Sequence, residues 1–139
     1  MDLSTIITDN VAEVLVKIIE FTERRHEILA HNVLDINRPG FLPQDMDAAG
    51  FAELMIDGIS EHIRSERLLL CDSGNIKFGA DGSFESLPIA DETASELLGN
   101  DVNSYLQLQI KKLSENTLNN IVATELLRQK QIRSRTLNN

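Results

Sequence analysis

From Val102 to Asn139 the chain contains neither glycine nor proline. A run of that length without a helix breaker reads as one long α-helix, and such a helix is marginal in water unless it buries a face. Leu106, Ile110, Leu113, Thr117, Ile121 and Leu127 fall within one broad face at 100° per residue. Leu118, Val122 and Leu126, each four apart, form a second stripe on another side. Two stripes call for two partners. The first stripe is expected to form a seam with another helix of the same chain, and the second to meet a neighbouring subunit. Arg128, Lys130, Arg133 and Arg135 occupy the last turns, where cations offset the exposed carbonyl end.

The partner for the first stripe is at the other end of the chain. Residues from about Asp9 to Asn32 read as a helix in which Val11, Ile18, Arg25 and Asn32 take heptad position a, and Val14, Phe21 and Ile28 take position d. The pattern is apolar for two heptads and turns polar at Arg25 and Asn32. Asp9 or Asn10 is the expected N-cap, with Glu13 in the first turn. Pro39 lacks an amide donor and pushes Arg38 out of helical geometry, so the helix should stop near Asp35, before the Pro39-Gly40 turn.

A shorter helix is expected between about Asp45 and Glu66, where Phe51, Leu54, Met55, Ile59 and Ile63 recur at helical spacing. Gly50 and Gly58 each weaken it by roughly 1 kcal/mol relative to Ala. Ser73-Gly74, Asp81-Gly82 and Pro88 then bring turn chemistry. Leu68–Cys71 and Ile76–Phe78 either pair as a short hairpin or belong to an irregular excursion. The expected fold is therefore mainly α. Two long terminal helices pair as a coiled-coil-like unit, with a shorter helix and an irregular or short β-hairpin excursion between them. One domain, 1–139, would hold an N-terminal helix at 9–36, the excursion at 37–98 and a C-terminal helix at 99–139.

Composition narrows the function. A formal net charge of −9 argues against nucleic acid as a partner. Residues 1–60 carry 11 acidic and 4 basic side chains, residues 61–100 carry 8 and 3, and residues 101–139 carry 3 and 6. The acidic front and basic tail either attract each other, within or between chains, or are simply solvated faces. Cys71, the single cysteine, has no partner for an internal disulfide. Neither a basic, apolar signal peptide nor an apolar run long enough to span a membrane is visible, so the chain reads as soluble and made in the cytoplasm. Export by a route that reads another signal is left open.

No catalytic constellation stands out. His26 and His31 lie about 140° apart around a helix and cannot share a metal. Asp45, Asp47 and Asp57 do not have the spacing of a calcium loop, and adjacent Ser60, Glu61 and His62 point to different faces. Phosphate-binding glycine motifs are missing. The expectation is no enzyme, no cofactor, no metal and no small-molecule substrate.

One local element is sharper. Asn32-Val33-Leu34-Asp35-Ile36-Asn37-Arg38-Pro39-Gly40-Phe41 ends a long amphipathic helix and turns the chain at once. Read alone, it is a helix C-cap and a turn. It also resembles the signature of the flagellar axial proteins (the rod, hook and hook-associated family), whose pattern runs roughly N-[IV]-A-N-x-x-T-P-G-[YF]. Asn32, Val33, Pro39, Gly40 and Phe41 match it, while Leu34, Asp35 and Arg38 depart from it. Upstream, Arg24 to Asn32 is similar to the arginine-bearing helix of proximal-rod members. Downstream, Gln44-Asp45-Met46-Asp47 with Phe51 and Leu54 resembles the family's "DxDF…L" stretch.

The other end agrees. Gly99-Asn100-Asp101-Val102, followed by Leu113-Ser114-Glu115-Asn116-Thr117-Leu118, resembles the family's "GNxV…LSENxL" helix. Gln107 and Gln109 stand where the family tends to carry Glu. The residues that carry the resemblance are thus Asn32, Pro39, Gly40, Phe41, Glu115 and Asn116. The resemblance implies a structural subunit of the bacterial flagellar basal-body rod, exported without a cleaved signal through the flagellar type III apparatus. Its implied partners are other rod and basal-body subunits, copies of itself and the export apparatus. It further implies terminal segments that are disordered in the monomer and pair as helices in the rod. Val14, Ile18, Phe21, Ile28, Leu106, Ile110, Leu113, Ile121 and Leu127 would then form the seam between the helices. The competing expectation is a small cytoplasmic helical adaptor or regulatory protein that binds a partner through its acidic face.

Overall fold

The computed structural model describes residues 3–65, 74–78 and 84–137. Within them the chain is mainly helical. Helix α1 (Leu3–Leu34) is followed by a two-residue strand β1 (Gln44–Asp45) and helix α2 (Ala48–Ser65). Three further short strands follow, β2 (Ile76–Phe78), β3 (Phe84–Ser86) and β4 (Ile89–Ala90). Helices α3 (Glu92–Asn100) and α4 (Val102–Leu137) complete the chain.

The two long helices pack together and run antiparallel. Asn32, near the end of α1, meets Gln109 near the start of α4, while Thr22 meets Asn116 and Asn120 further along. Their 32 and 36 residues correspond to rods of roughly 48 and 54 Å at 1.5 Å per residue. α1 begins earlier than the capping residues suggested. Asp9 and Asn10 lie inside the helix, and Asn10 instead places its amide 3.2 Å from Nδ1 of His62 on α2. A polar side chain near a helix start is an N-cap only where the upstream residues leave the helix, and here they do not.

α1 ends as its last residues require. The Asp35 amide donates to the His31 carbonyl, and Arg38 donates to Asp35. Phe41 then donates to the Arg38 carbonyl across Pro39 and Gly40, with Gly40 at φ 75°. Proline first and a positive-φ glycine second is the arrangement of a type II turn. No atom crowds the place where a Gly40 Cβ would sit, so the requirement for glycine there is conformational.

Asp47 caps α2: its Oδ1 accepts from the Gly50 amide at 2.9 Å, and its carbonyl accepts from Phe51. A Cβ on Gly50 would fall 2.2 Å from that carboxylate. The glycine that weakens the helix therefore makes room for its cap. Phe51, Met55, Gly58 and His62 are the buried positions of α2. The apolar core is Val14, Phe21, Met46, Phe51, Met55 and Ile76, with Ile18, Ile28, Ala48, Leu54 and Phe78 packed against it. Phe21 and Phe51 stack with ring centroids 4.0 Å apart.

Ile76–Phe78 is a strand, but it pairs antiparallel with Phe84–Ser86. The alternative partner, Leu68–Cys71, lies outside the described residues, as does Cys71 itself. The C-terminal helix also differs from expectation, because α3 occupies residues assigned to the excursion. Asp91 caps α3 through the Ala94 amide. Asp101 then ends α3 and starts α4: its amide donates to Leu97, and its carboxylate accepts from Asn103, Ser104 and the Ser104 hydroxyl. One residue serves both helix ends, so the break needs neither glycine nor proline. β1 pairs antiparallel with β4, Gln44 opposite Ala90 and Asp45 opposite Ile89. That bridge brings Asp45 and Asp91 to the same edge of α4.

Candidate assembly surfaces

The seam between α1 and α4 is polar where sequence reasoning looked for leucines. Asn32 is buried, and its Nδ2 donates to the Gln44 carbonyl at 2.7 Å and to Gln109 Oε1 at 3.0 Å. Its Oδ1 accepts from the Gln44 amide at 3.1 Å. Tyr105, fully buried, donates its hydroxyl to the Asn32 carbonyl at 2.6 Å. Burial, together with the nearby Asp91 charge, pushes that hydroxyl up to about 12. Further along, Asn116 donates to the Thr22 carbonyl at 2.7 Å and Asn120 to the Thr22 hydroxyl at 2.8 Å. Thr22 Oγ1 in turn donates back to the Ile18 carbonyl at 2.8 Å, within its own helix.

An ion cluster locks the excursion onto this seam. Arg25 forks onto Asp45, with Nε to Oδ1 at 2.8 Å and Nη2 to Oδ2 at 3.0 Å. Lys112 reaches Asp45 at 2.9 Å and Asp91 at 2.7 Å. Burial alone would raise the Asp45 carboxyl. The hydrogen bonds and charges of Arg25 and Lys112 outweigh it and hold the group below the usual carboxylate range. For Lys112, burial would lower the ammonium, while its bonds to Asp45 and Asp91 hold it above the usual lysine value. Two cations and two carboxylates thus tie together α1, β1, the cap of α3 and α4. This compensation is what makes largely desolvated charges tolerable.

Of the expected seam residues, Val14 and Phe21 are buried and Ile18, Ile28, Leu106, Leu113 and Leu127 are half-buried. Ile110 and Ile121 are not in the seam: each is 58% exposed. The inward residues of α4 include Tyr105, Gln109, Asn116 and Ala123, with half-buried Lys112 between them. This is a heptad frame set about 100° away from the apolar one. Counting only apolar residues hid it. The available signal was the 3.5-residue recurrence of Tyr105, Gln109, Lys112, Asn116 and Ala123, opposite an N-terminal heptad that itself turns polar at Arg25 and Asn32.

The rest of the site is an open apolar groove of ≈ 470 Å³. Its floor includes Ile18 and Phe21 of α1. One wall is Ala52, Ile56 and Ile59 of α2, and the other is Leu118, Val122 and Leu126 of α4. Ile56, Leu118 and Val122 are respectively 61%, 60% and 48% exposed. The stripe assigned to a neighbouring subunit is therefore uncovered within the chain. A second pocket lies at the motif turn, lined in part by Asn32, Pro39, Gly40, Phe41 and exposed Leu42. Glu115 is exposed one residue from buried Asn116, so the two residues of that motif point different ways.

No protein-family model, characterised protein or solved structure matches this chain. His31 sits 3.0 Å from Asp35, just past the end of α1, His62 sits against Asn10, and among the described residues no three His, Cys, Asp or Glu groups converge.

Proposed function

We propose that this chain is a structural subunit of the bacterial flagellar basal-body rod, of the proximal-rod (FlgB) type, polymerising through its terminal helices. The observation that carries this reading is the location of its two rod-like motifs. The N-terminal motif contributes Asn32 and the C-terminal motif contributes Asn116, and each asparagine is buried in the pairing of α1 with α4, hydrogen-bonded to the opposite helix. Residues that carry the resemblance from opposite ends of the chain thus act in one contact. The uncovered groove beside that contact supplies what an assembling subunit needs, an apolar face larger than scattered surface residues provide.

On this reading the chain is made in the cytoplasm and exported without a cleaved signal peptide. Its partners are copies of itself, other rod and basal-body subunits and the export apparatus, and it has no catalytic role. The test is deletion of the gene in its host, scored for swimming and for basal bodies by electron microscopy. Rings without a rod, restored by the wild-type gene, are the expected result. A deletion strain that swims with intact filaments would remove the rod reading. It would leave the acidic helical adaptor, whose partner would then be sought among basic cytoplasmic proteins.

A further inference from the structure

The segment from Pro88 to Asn100, which holds β4, the Asp91 cap and α3, is fastened to the other described residues by short contacts. β4 pairs with β1 over two residues, and both Ile89 and Ala90 are exposed. The Asp91 amide donates to the Pro43 carbonyl at 3.1 Å. α3 packs on α4, with Ala94 buried and Leu97 and Leu98 half-buried. Its nine residues are too few for a helix to stand alone in water, so α3 is helical only while it is docked. None of the core residues Val14, Phe21, Met46, Phe51, Met55 and Ile76 belongs to this segment.

Both ends of the segment are insulated from their neighbours. At its C-terminal end, the Asp101 carboxylate caps α4 through the Asn103 and Ser104 amides and the Ser104 hydroxyl, bonds that need nothing from α3. At the other end, β1 is held to α1 without β4: Arg25 forks onto Asp45, and Asn32 brackets Gln44. Leu87 donates to the Asn75 carbonyl, on the β2–β3 side of the boundary.

One side chain has two roles in the segment. Asp91 Oδ1 accepts from the Ala94 amide at 3.0 Å and so starts α3, while Oδ2 accepts from Lys112 Nζ at 2.7 Å and so binds the segment to α4. The Asp91 side chain is 12% exposed, so this charge-assisted bond is largely shielded from water. Lys112 has a second carboxylate, Asp45 at 2.9 Å, whether or not Asp91 stays.

We propose that residues 88–100 form a strap that opens as one unit while α1, α2 and α4 stay folded, and that the Asp91–Lys112 pair is the latch that keeps it shut. Opening unfolds α3 and uncovers the face of α4 on which it packs. Subglobal opening of this kind exposes a surface without melting the fold. The strap belongs to this chain's own fold, whatever the protein assembles with.

The test is native-state hydrogen exchange of the full chain, followed amide by amide in the wild type and in Asp91→Asn. Asparagine caps a helix about as well as aspartate, and Lys112 retains Asp45, so the substitution removes the latch but not the cap. Amides of α3 should exchange about tenfold faster in the variant, with those of α1 and of α4 beyond Gln109 unchanged. In the wild type, α3 exchange should depend only weakly on denaturant, because opening the strap exposes little surface. Wild-type α3 amides that exchange only together with α1 and α4, with one common denaturant dependence, would show that no separate strap exists. Exchange of α3 unmoved by Asp91→Asn would show that the bond to Lys112 is not its latch.

Discussion

α1 is held on its two sides by unlike means. Against α2 it presents Val14 and Phe21 to Phe51 and Met55, an apolar contact with stacked rings at its centre. Against α4 it presents Thr22 and Asn32 to a helix whose inward residues include Tyr105, Gln109 and Asn116. Apolar burial is non-directional and tolerates small shifts of one helix along another. Buried amides tolerate none, since a slip leaves donors and acceptors unpaired at a cost of about 1–3 kcal/mol each. The difference teaches a division of labour: the α1–α2 contact supplies cohesion, and the α1–α4 contact fixes the register of two helices whose apolar patterns leave it loose. On the proposed rod reading that matters, because the groove walls on α2 and α4 line up only if α4 is in register.

The comparison can be broken most forcefully on the apolar side. Phe21→Ala should cost about 4 kcal/mol in denaturant unfolding, the cavity left beside Phe51 adding to the lost burial. A loss below about 1 kcal/mol would mean that the stacked pair is not the centre of cohesion.

The ion cluster should follow closely. Asp45→Asn leaves Arg25 and Lys112 without their shared carboxylate and should cost about 3 kcal/mol near neutral pH. The pH dependence has a fixed sign. Asp45 is held below its ordinary value, so its contribution is complete above about pH 4 and fades as pH falls below that. Lys112 is held above its ordinary value, so its contribution is complete up to about pH 10 and fades at higher pH. Wild type and Asp45→Asn should therefore converge in stability in strong acid. A constant difference down to pH 2 would assign the cost to something other than charge.

Asn116→Leu sharpens the register claim. It removes the hydrogen bond that Asn116 donates across the seam to the Thr22 carbonyl and should cost about 1.5 kcal/mol. More tellingly, distances between spin labels on α1 and α4 should broaden, as they would not for Phe21→Ala in its folded fraction. An unchanged, narrow distribution would show that register is set elsewhere. Gly40→Ala should have the smallest effect, about 1 kcal/mol, from a side chain forced to positive φ in otherwise open space. A neutral result there would mean that the turn relaxes without disturbing Asn32.

The long helices and the stop of α1 were legible because they depend on local chemistry. Pro39 and Gly40 stop α1 wherever it packs, and a stretch without glycine or proline from Val102 onward goes helical once it finds any partner. The groove stripe of Leu118, Val122 and Leu126 was legible for the same reason, as a spacing along one helix. Three things were not. Asp101 ends one helix and starts the next, which cannot be read without knowing which carbonyl its amide meets. Ile76–Phe78 takes a partner that turn residues alone do not select. The inward face of α4 lies where Asn116 and Gln109 point, although Ile110 and Ile121 are the more hydrophobic residues.

The sequence by itself thus determined that the chain would form long terminal helices with a turn and a shorter helix between, because propensity, capping and chain stops act within a few residues. Only the tertiary structure decided which face of α4 turns inward. A buried polar residue is favourable or ruinous according to the partner it meets, and here the partners, Thr22 and Asn32, lie 94 and 77 residues away along the chain.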